Sequence, residues 1–292
     1  MCATLRGMLL LMTTALAAWP DDVSLSSLAY LGDTPVHDPA EAGNYEVYKQ
    51  VVQELGVAVA NKPIYPAETL GINGFEVGIN STLAFTSGEK DSIDDISTWD
   101  RVHVNGEAQR NAWIPGITVR KGLPMSLEVG ANYSWLSYSR QSVLGGFARV
   151  APLEGYRQAP DIAIQVGYAG YIGNDELELG VLDWSGTISY TMPFGTLVGI
   201  HHATFAPYLG AGQLIIHAEP RMSSDQQQAL GVRPVSGFKG SEVWDAAEGD
   251  DFRPKQVHTG IRIVNRGVHV RLGAVWAPQV IPALHGGLGF SF

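Results

Sequence analysis

Cysteine is all but absent: Cys2 is the only one in 292 residues, which excludes a disulfide framework and a cysteine-based zinc site. Charge is sparse as well. Asp, Glu, Lys and Arg make up 16% of the chain, against roughly 25% in an ordinary soluble domain. Beyond Ala18 no 18 consecutive residues are apolar, so no transmembrane helix follows that point, and a membrane would have to be crossed by strands. Positive charge is the scarcer sign, with 19 Lys and Arg against 29 Asp and Glu. The resulting acidity argues against nucleic acid and anionic headgroups as partners. What the chain has in plenty is glycine, 34 residues without a G-x-y period, so collagen is excluded. Mean hydropathy is near zero, at +0.03.

Met1 to Ala17 reads as a secretory signal. Arg6 supplies the positive start, Met8 to Leu16 the apolar run, and Ala15-Leu16-Ala17 the small-x-small cleavage pattern. Residues 18–69 then form a separate segment with an amphipathic helix expected at about 39–60. Asp38-Pro39-Ala40-Glu41 supplies a cap, a first-turn proline and an acidic residue. Tyr45, Tyr48, Val51, Val52, Leu55 and Val59 recur at helical spacing. Two placements fit: a helix packed beneath a barrel mouth, or a plug inside the lumen.

From residue 70 to 292 the period is two. In Met125 to Trp135 the odd positions are apolar and the even ones polar or small, which puts the two kinds on opposite faces of a strand. Similar stripes cover 75–85, 162–168, 257–263 and 268–276. Ten strands are expected, at roughly 70–85, 111–120, 124–136, 142–152, 160–171, 176–191, 205–219, 255–264, 268–278 and 281–292. Leu177, Leu179 and Val181 share a phase that Trp184, Ile188 and Tyr190 do not, which suggests a bulge near Leu182. Tight turns at 120–124 and 265–267 alternate with long connections at 86–110 and 220–254. Strands of about 9–11 residues, an even count and such loops point to an all-β, closed antiparallel up-and-down transmembrane barrel of 8–12 strands. A secreted β-sandwich also alternates, but the aromatics at strand ends, such as Tyr133, Trp135, Trp184 and Trp276, suit the interfacial girdles of a barrel.

The final strand carries a resemblance. Leu284, Leu288, Phe290 and Phe292 place apolar residues at even positions up to a terminal Phe. The chain thus resembles Gram-negative outer-membrane β-barrel proteins, in which such an ending is read by the barrel-assembly machinery. That resemblance implies an outer-membrane location, with the lipid bilayer and lipopolysaccharide as surroundings, and gives Phe290 and Phe292 the role of assembly signal. Pro66-Ala67-Glu68-Thr69-Leu70-Gly71 resembles the junction between hatch and first strand in fatty-acid-type outer-membrane channels.

With the apolar stripes facing lipid, the lumen receives Glu76, Asn80, Arg120, Glu128, Asn132, Arg149, Gln165, His258, Arg262, Arg271 and His285. Two functions follow. One is a narrow pore through which small solutes pass along these Arg and Glu side chains. The other is a closed barrel whose long acidic outer loops carry a structural or surface-interaction role, with the Arg and Glu residues forming a structural network. His258 and His285 lie on strands flanking the same neighbour, a spacing compatible with a metal pair or a pH gate. His217 with Glu219 is the sole catalytic-looking pair and no known signature surrounds it. No enzyme activity, cofactor or metal is expected.

Overall fold

The computed structural model describes residues 23–31, 34–87, 96–103, 111–137, 139–156, 159–197 and 200–292, with backbone only at 194–197 and 200–202. The signal reading, the loop acids Glu89, Asp91, Asp94 and Asp95, and the His201–His202 side chains lie outside that set.

Ten antiparallel strands close a ring: β1 (Phe75–Phe85), β2 (Asn111–Leu123), β3 (Leu127–Trp135), β4 (Ser142–Leu153), β5 (Asp161–Ile172), β6 (Leu177–Ser189), β7 (Ile200–Pro220), β8 (Lys255–Asn265), β9 (Val268–Trp276) and β10 (Pro282–Ser291). Each pairs with its neighbour in sequence, and β10 returns to β1 in register from Ala283↔Ala84 to Ser291↔Glu76. No edge strand is left in the ring. That matters for so glycine-rich a sheet, since open edges invite pairing with other chains. The hairpin β6–β7 runs on past the ring, where Met192–Leu197 pairs with the first residues of β7; β7 therefore begins five residues before the expected start at 205.

The two stripes sort as the period demands. Leu127 and Val129 are each 41% exposed, Ile164 49% and Leu272 56%, whereas Glu128 and Arg271 are 0% and 1% exposed. The reverse arrangement would have made a sandwich. Here the apolar face is outside and the charges are inside. One detail differs: Met125, read as strand, sits in the β2–β3 turn with φ 63°. The β8–β9 turn is the two-residue kind that needs φ > 0 twice, supplied by Arg266 (48°) and Gly267 (83°).

Alternation of strand direction gives the barrel two different ends. The loop end gathers residues 86–87, 96–103, 136–137, 139–141, 173–176, 221–254 and 277–281. The other, the terminal end, has the turns 124–126 and 266–267, the start of β1 and the C-terminal Phe292.

The bulge expected near Leu182 is not present, because the β5–β6 register is unbroken from Asp161↔Ser189 to Tyr171↔Leu179. Leu177, Leu179, Val181, Asp183, Ser185, Thr187 and Ser189 are all buried on one inward face. The stripe changes from apolar to polar because the lumen contents change along its length. At the loop end lies α1 (Asn44–Val59); at the terminal end lies an extended segment, residues 61–70, that offers its backbone groups to the wall.

The helix also corrects the expectation. It starts at Asn44 rather than 39, since Asp38 Oδ1 instead accepts from the Ala40 amide in a turn (2.9 Å) and Gly43 precedes the helix at φ 65°. It has no solvated long face: Val47, Val51, Val52, Leu55, Val57, Ala58 and Val59 are all buried. β5, β6 and β7 pack on one side. Gly56 lets α1 approach β7, because a Cβ there would run into the Ile216 side chain. Leu177, Leu179, Val181, Leu214 and Ile216 of the wall thus share one apolar core with the helix and with Trp99, Val102, Leu230, Val235, Phe252 and Ile281 of the loop end. Packing beneath the terminal mouth is therefore not what the helix does; it lies within the ring, at the opposite end.

Candidate functional site

Asn44, at the first turn of α1, ties the segment to two loops. Its Nδ2 donates to the carbonyls of Leu28 and Leu230, 3.0 Å each, and its Oδ1 accepts from Arg101 Nη2 at 2.6 Å. Glu54 makes a second tie, accepting from Trp99 Nε1 (2.6 Å), Gln50 Nε2 (3.0 Å) and the Ser87 amide (3.0 Å). These bonds fix the loop end to the helix. A cleft of about 390 Å³ lies between that helix and residues 233–252, bordered by Tyr45, Arg233, Trp244, Asp245 and Glu248. Arg233 lies over the Tyr45 ring (4.8 Å) and meets Glu248 at 2.6 Å. The hydrogen bond from Tyr45, opposed by modest burial and reinforced by Arg233, holds the Glu248 carboxyl below the ordinary carboxylate range.

Below the helix the chain runs extended down the lumen. Asn61 Nδ2 donates to Asp183 Oδ2 (3.0 Å) and to the Gly146 carbonyl (3.2 Å). Lys62 turns back onto the Val57 carbonyl. Tyr65, 2% exposed, then stands among guanidiniums, with Arg120, Arg271 and Arg149 at 3.7, 4.7 and 5.9 Å from its ring centre.

From Pro66 to Leu70 the wall receives the backbone itself. Arg149 donates to the carbonyls of Pro66 and Glu68, 2.7 Å each. The amides of Ala67, Thr69 and Leu70 donate to Ser189 Oγ (2.9 Å), Glu154 (2.8 Å) and Glu128 (3.1 Å). An extended segment has no internal hydrogen bonds of its own, so these wall groups satisfy what burial would otherwise leave unpaired.

The residues expected in the lumen all point inward. Cross-strand register brings Glu76 opposite Arg120, and Glu128 opposite Arg149 beside Gln165. Arg120 bridges Glu76 (2.6 Å) and Glu128 (2.8 Å), Arg271 pairs with Glu76, and Arg149 is 3.6 Å from Glu128. Arg262, opposite Arg271, binds the plug residue Glu68 instead of a wall acid. Asn80 donates to Thr118. Asn80, Asn132 and His285 border a cavity of about 40 Å³ beside Asn61, Lys62 and Tyr65. That space suits a few waters at most. Residues 61–70 thus stand in the space along which a passage was expected.

Both histidines of the expected pair border Tyr208, with the His258 ring 6.5 Å from the Tyr208 ring between centres. His258 Nε2 lies 2.9 Å from Thr187 Oγ1, and His285 Nε2 lies 3.2 Å from the Tyr208 hydroxyl. No group of three potential metal ligands assembles among the described residues. His217 and Glu219 touch at 3.1 Å, both half-exposed.

Sequence reasoning missed Tyr65 and Glu68, since both precede the first strand and neither belongs to a periodic stripe. The apolar run Leu177, Leu179, Val181 on an otherwise polar inward face was the available sign that something occupies the lumen. Phe290 is on the outer face of the last strand, edge-on to Phe292 at 4.8 Å between ring centres, and Phe292 closes the seam by pairing with Phe75 (2.8 Å).

No family model matches the chain, and no curated protein does. Solved structures do. They include LpxR from Salmonella typhimurium (9% identity, 75% of this chain and 99% of that one, TM-score 0.34). OprG from Pseudomonas aeruginosa gives 11%, 78% and 99%, and 0.28. Ail from Yersinia pestis, in complex with the heparin analogue sucrose octasulfate, gives 9%, 76% and 99%, and 0.27. Scores this low transfer no residue and no activity. On its own geometry, a closed ring of ten strands with apolar side chains outside and charges within, the chain has the architecture of an outer-membrane β-barrel.

Proposed function

We propose that the protein sits in the bacterial outer membrane as a closed barrel, with the terminal end in the periplasm and the loop end outside, and that its work is done by the braced outer cap as a binding surface. The observation that supports this reading is the occupied lumen: residues 61–70 run through it, bonded to Asp183, Arg149, Glu128 and Arg262 of the wall, and the cavity beside Asn61, Lys62 and Tyr65 is about 40 Å³. Removing that segment would strip partners from buried guanidiniums, which costs several kcal/mol for each uncompensated charge. The cap is instead preorganised, because α1 and the long loops share one apolar core and enclose the cleft of about 390 Å³.

In this reading lipid and lipopolysaccharide surround the apolar belt, and Phe290 and Phe292 are what the barrel-assembly machinery recognises. A narrow pore for small solutes would require the segment to move. Single-channel recording of the full chain in planar bilayers is the test. Silence is expected, and a stable ohmic conductance from the intact protein overturns the proposal.

A further inference from the structure

The guanidinium cluster around the plug holds more positive charge than the wall acids answer. At that height Arg120, Arg149, Arg262 and Arg271 face two wall carboxylates, Glu76 and Glu128. The balance is supplied by the plug: Glu68 gives its carboxylate to Arg262, with Thr191 Oγ1 at 3.3 Å, and two backbone carbonyls go to Arg149. Even so, donors remain over. Arg271 Nε and Nη2, Arg149 Nε and Arg262 Nε are buried without a hydrogen-bond partner among the described residues.

The cluster is also reachable. The Glu68 side chain is 40% exposed while Arg262 beneath it is 5% exposed, so the ion pair lies at the lip of the terminal mouth. Two other acids share the rim and both are engaged: Glu154 accepts from Thr69, and Asp161 Oδ1 accepts from the Gly155 amide at 2.8 Å.

From this arrangement we infer that the cluster is an oxyanion-binding site which Glu68 occupies as an internal ligand, and that a carboxylate- or phosphate-bearing solute reaching the terminal mouth competes for Arg262 and loosens residues 66–70. Planar guanidinium forks suit both oxyanions. The inference stands apart from the outer-cap reading, since it concerns the opposite end and holds whether or not the barrel conducts.

Hydrogen exchange of the Ala67, Thr69 and Leu70 amides in the full-length wild type tests it, because all three are bonded to wall groups. Inorganic phosphate should speed their exchange by about threefold or more, as local opening becomes easier, while chloride at equal ionic strength leaves it unchanged. Acetate as a second probe distinguishes a carboxylate from a phosphate preference. In Glu68→Gln the same amides should exchange fast without any addition and no longer respond to phosphate; Arg262→Ala should also be unresponsive. Equal acceleration by chloride, no response in the wild type, or a Glu68→Gln variant with wild-type exchange would each overturn the assignment. Glu68→Gln nearly preserves side-chain shape, so the test survives if Arg262→Ala fails to fold.

Discussion

Replacing Tyr65 measures how firmly the segment is held. The side chain is 2% exposed, and a buried tyrosine removes roughly 150–250 Å² from water. At about 25 cal/mol per Å² that is about 4–6 kcal/mol, and nearer 4 once a compact unfolded reference is allowed for. Guanidiniums at 3.7 and 4.7 Å from the ring contribute about 1–2 kcal/mol more in a desolvated site. Tyr65→Ala should therefore cost about 5 kcal/mol. Tyr65→Leu keeps most of the apolar volume, loses the cation–π contacts, and should cost about 2 kcal/mol. Tyr65→Phe should be neutral or stabilising by up to about 1 kcal/mol, because the phenolic oxygen is buried without a partner among the described residues. Equilibrium unfolding in lipid vesicles by urea, with midpoints and slopes compared across the series, gives these values. A Tyr65→Ala protein within about 1 kcal/mol of wild type, or a Tyr65→Phe protein as damaged as Tyr65→Ala, would refute the stacked arrangement.

Three further outcomes are expected. Leu272→Lys, on the outer belt at 56% exposure, should cost about 2–4 kcal/mol in a bilayer if the position lies near the midplane, and a neutral result in the same unfolding assay would count against lipid contact there. An epitope inserted after the exposed His37 should be labelled by antibody on intact cells, whereas one after Phe292 should need permeabilised cells; the opposite pattern would invert the barrel. Because its carboxyl lies low in the folded protein, Glu248 supports the cap at neutral pH, and that support disappears as pH falls through the depressed folded value. Trp244 emission should change in that acid range in the wild type, and Glu248→Gln should lack the step.

The wall was legible because a lipid-facing strand must keep one face apolar along its whole length. Leu127 to Trp135 shows that requirement without interruption, and so the ring and its closure followed from counting. The lumen was less legible, because an inward face answers to whatever fills it. Asp183, Ser185 and Thr187 line the polar part of the lumen, while Leu177, Leu179 and Val181 on the same face read as a break in phase. They are one face meeting two different contents. Tyr65 was hidden for a different reason: its role depends on arginines 55 to more than 200 residues later in the chain, and no local pattern announces a ring among guanidiniums.

The path of residues 23–75 has a consequence for assembly. Val23 bridges to His103 at the loop end, and β1 begins at the opposite end, so the polypeptide passes right through the hoop that its own later part builds. A finished hoop would have to be threaded by the whole preceding stretch. The economical order is for the strands to curl around residues 44–70 while the sheet is still open, and for β1 and β10, some 200 residues apart, to zip last. Such distant pairing is the slowest kind to form, and what is enclosed when β1 meets β10 stays enclosed.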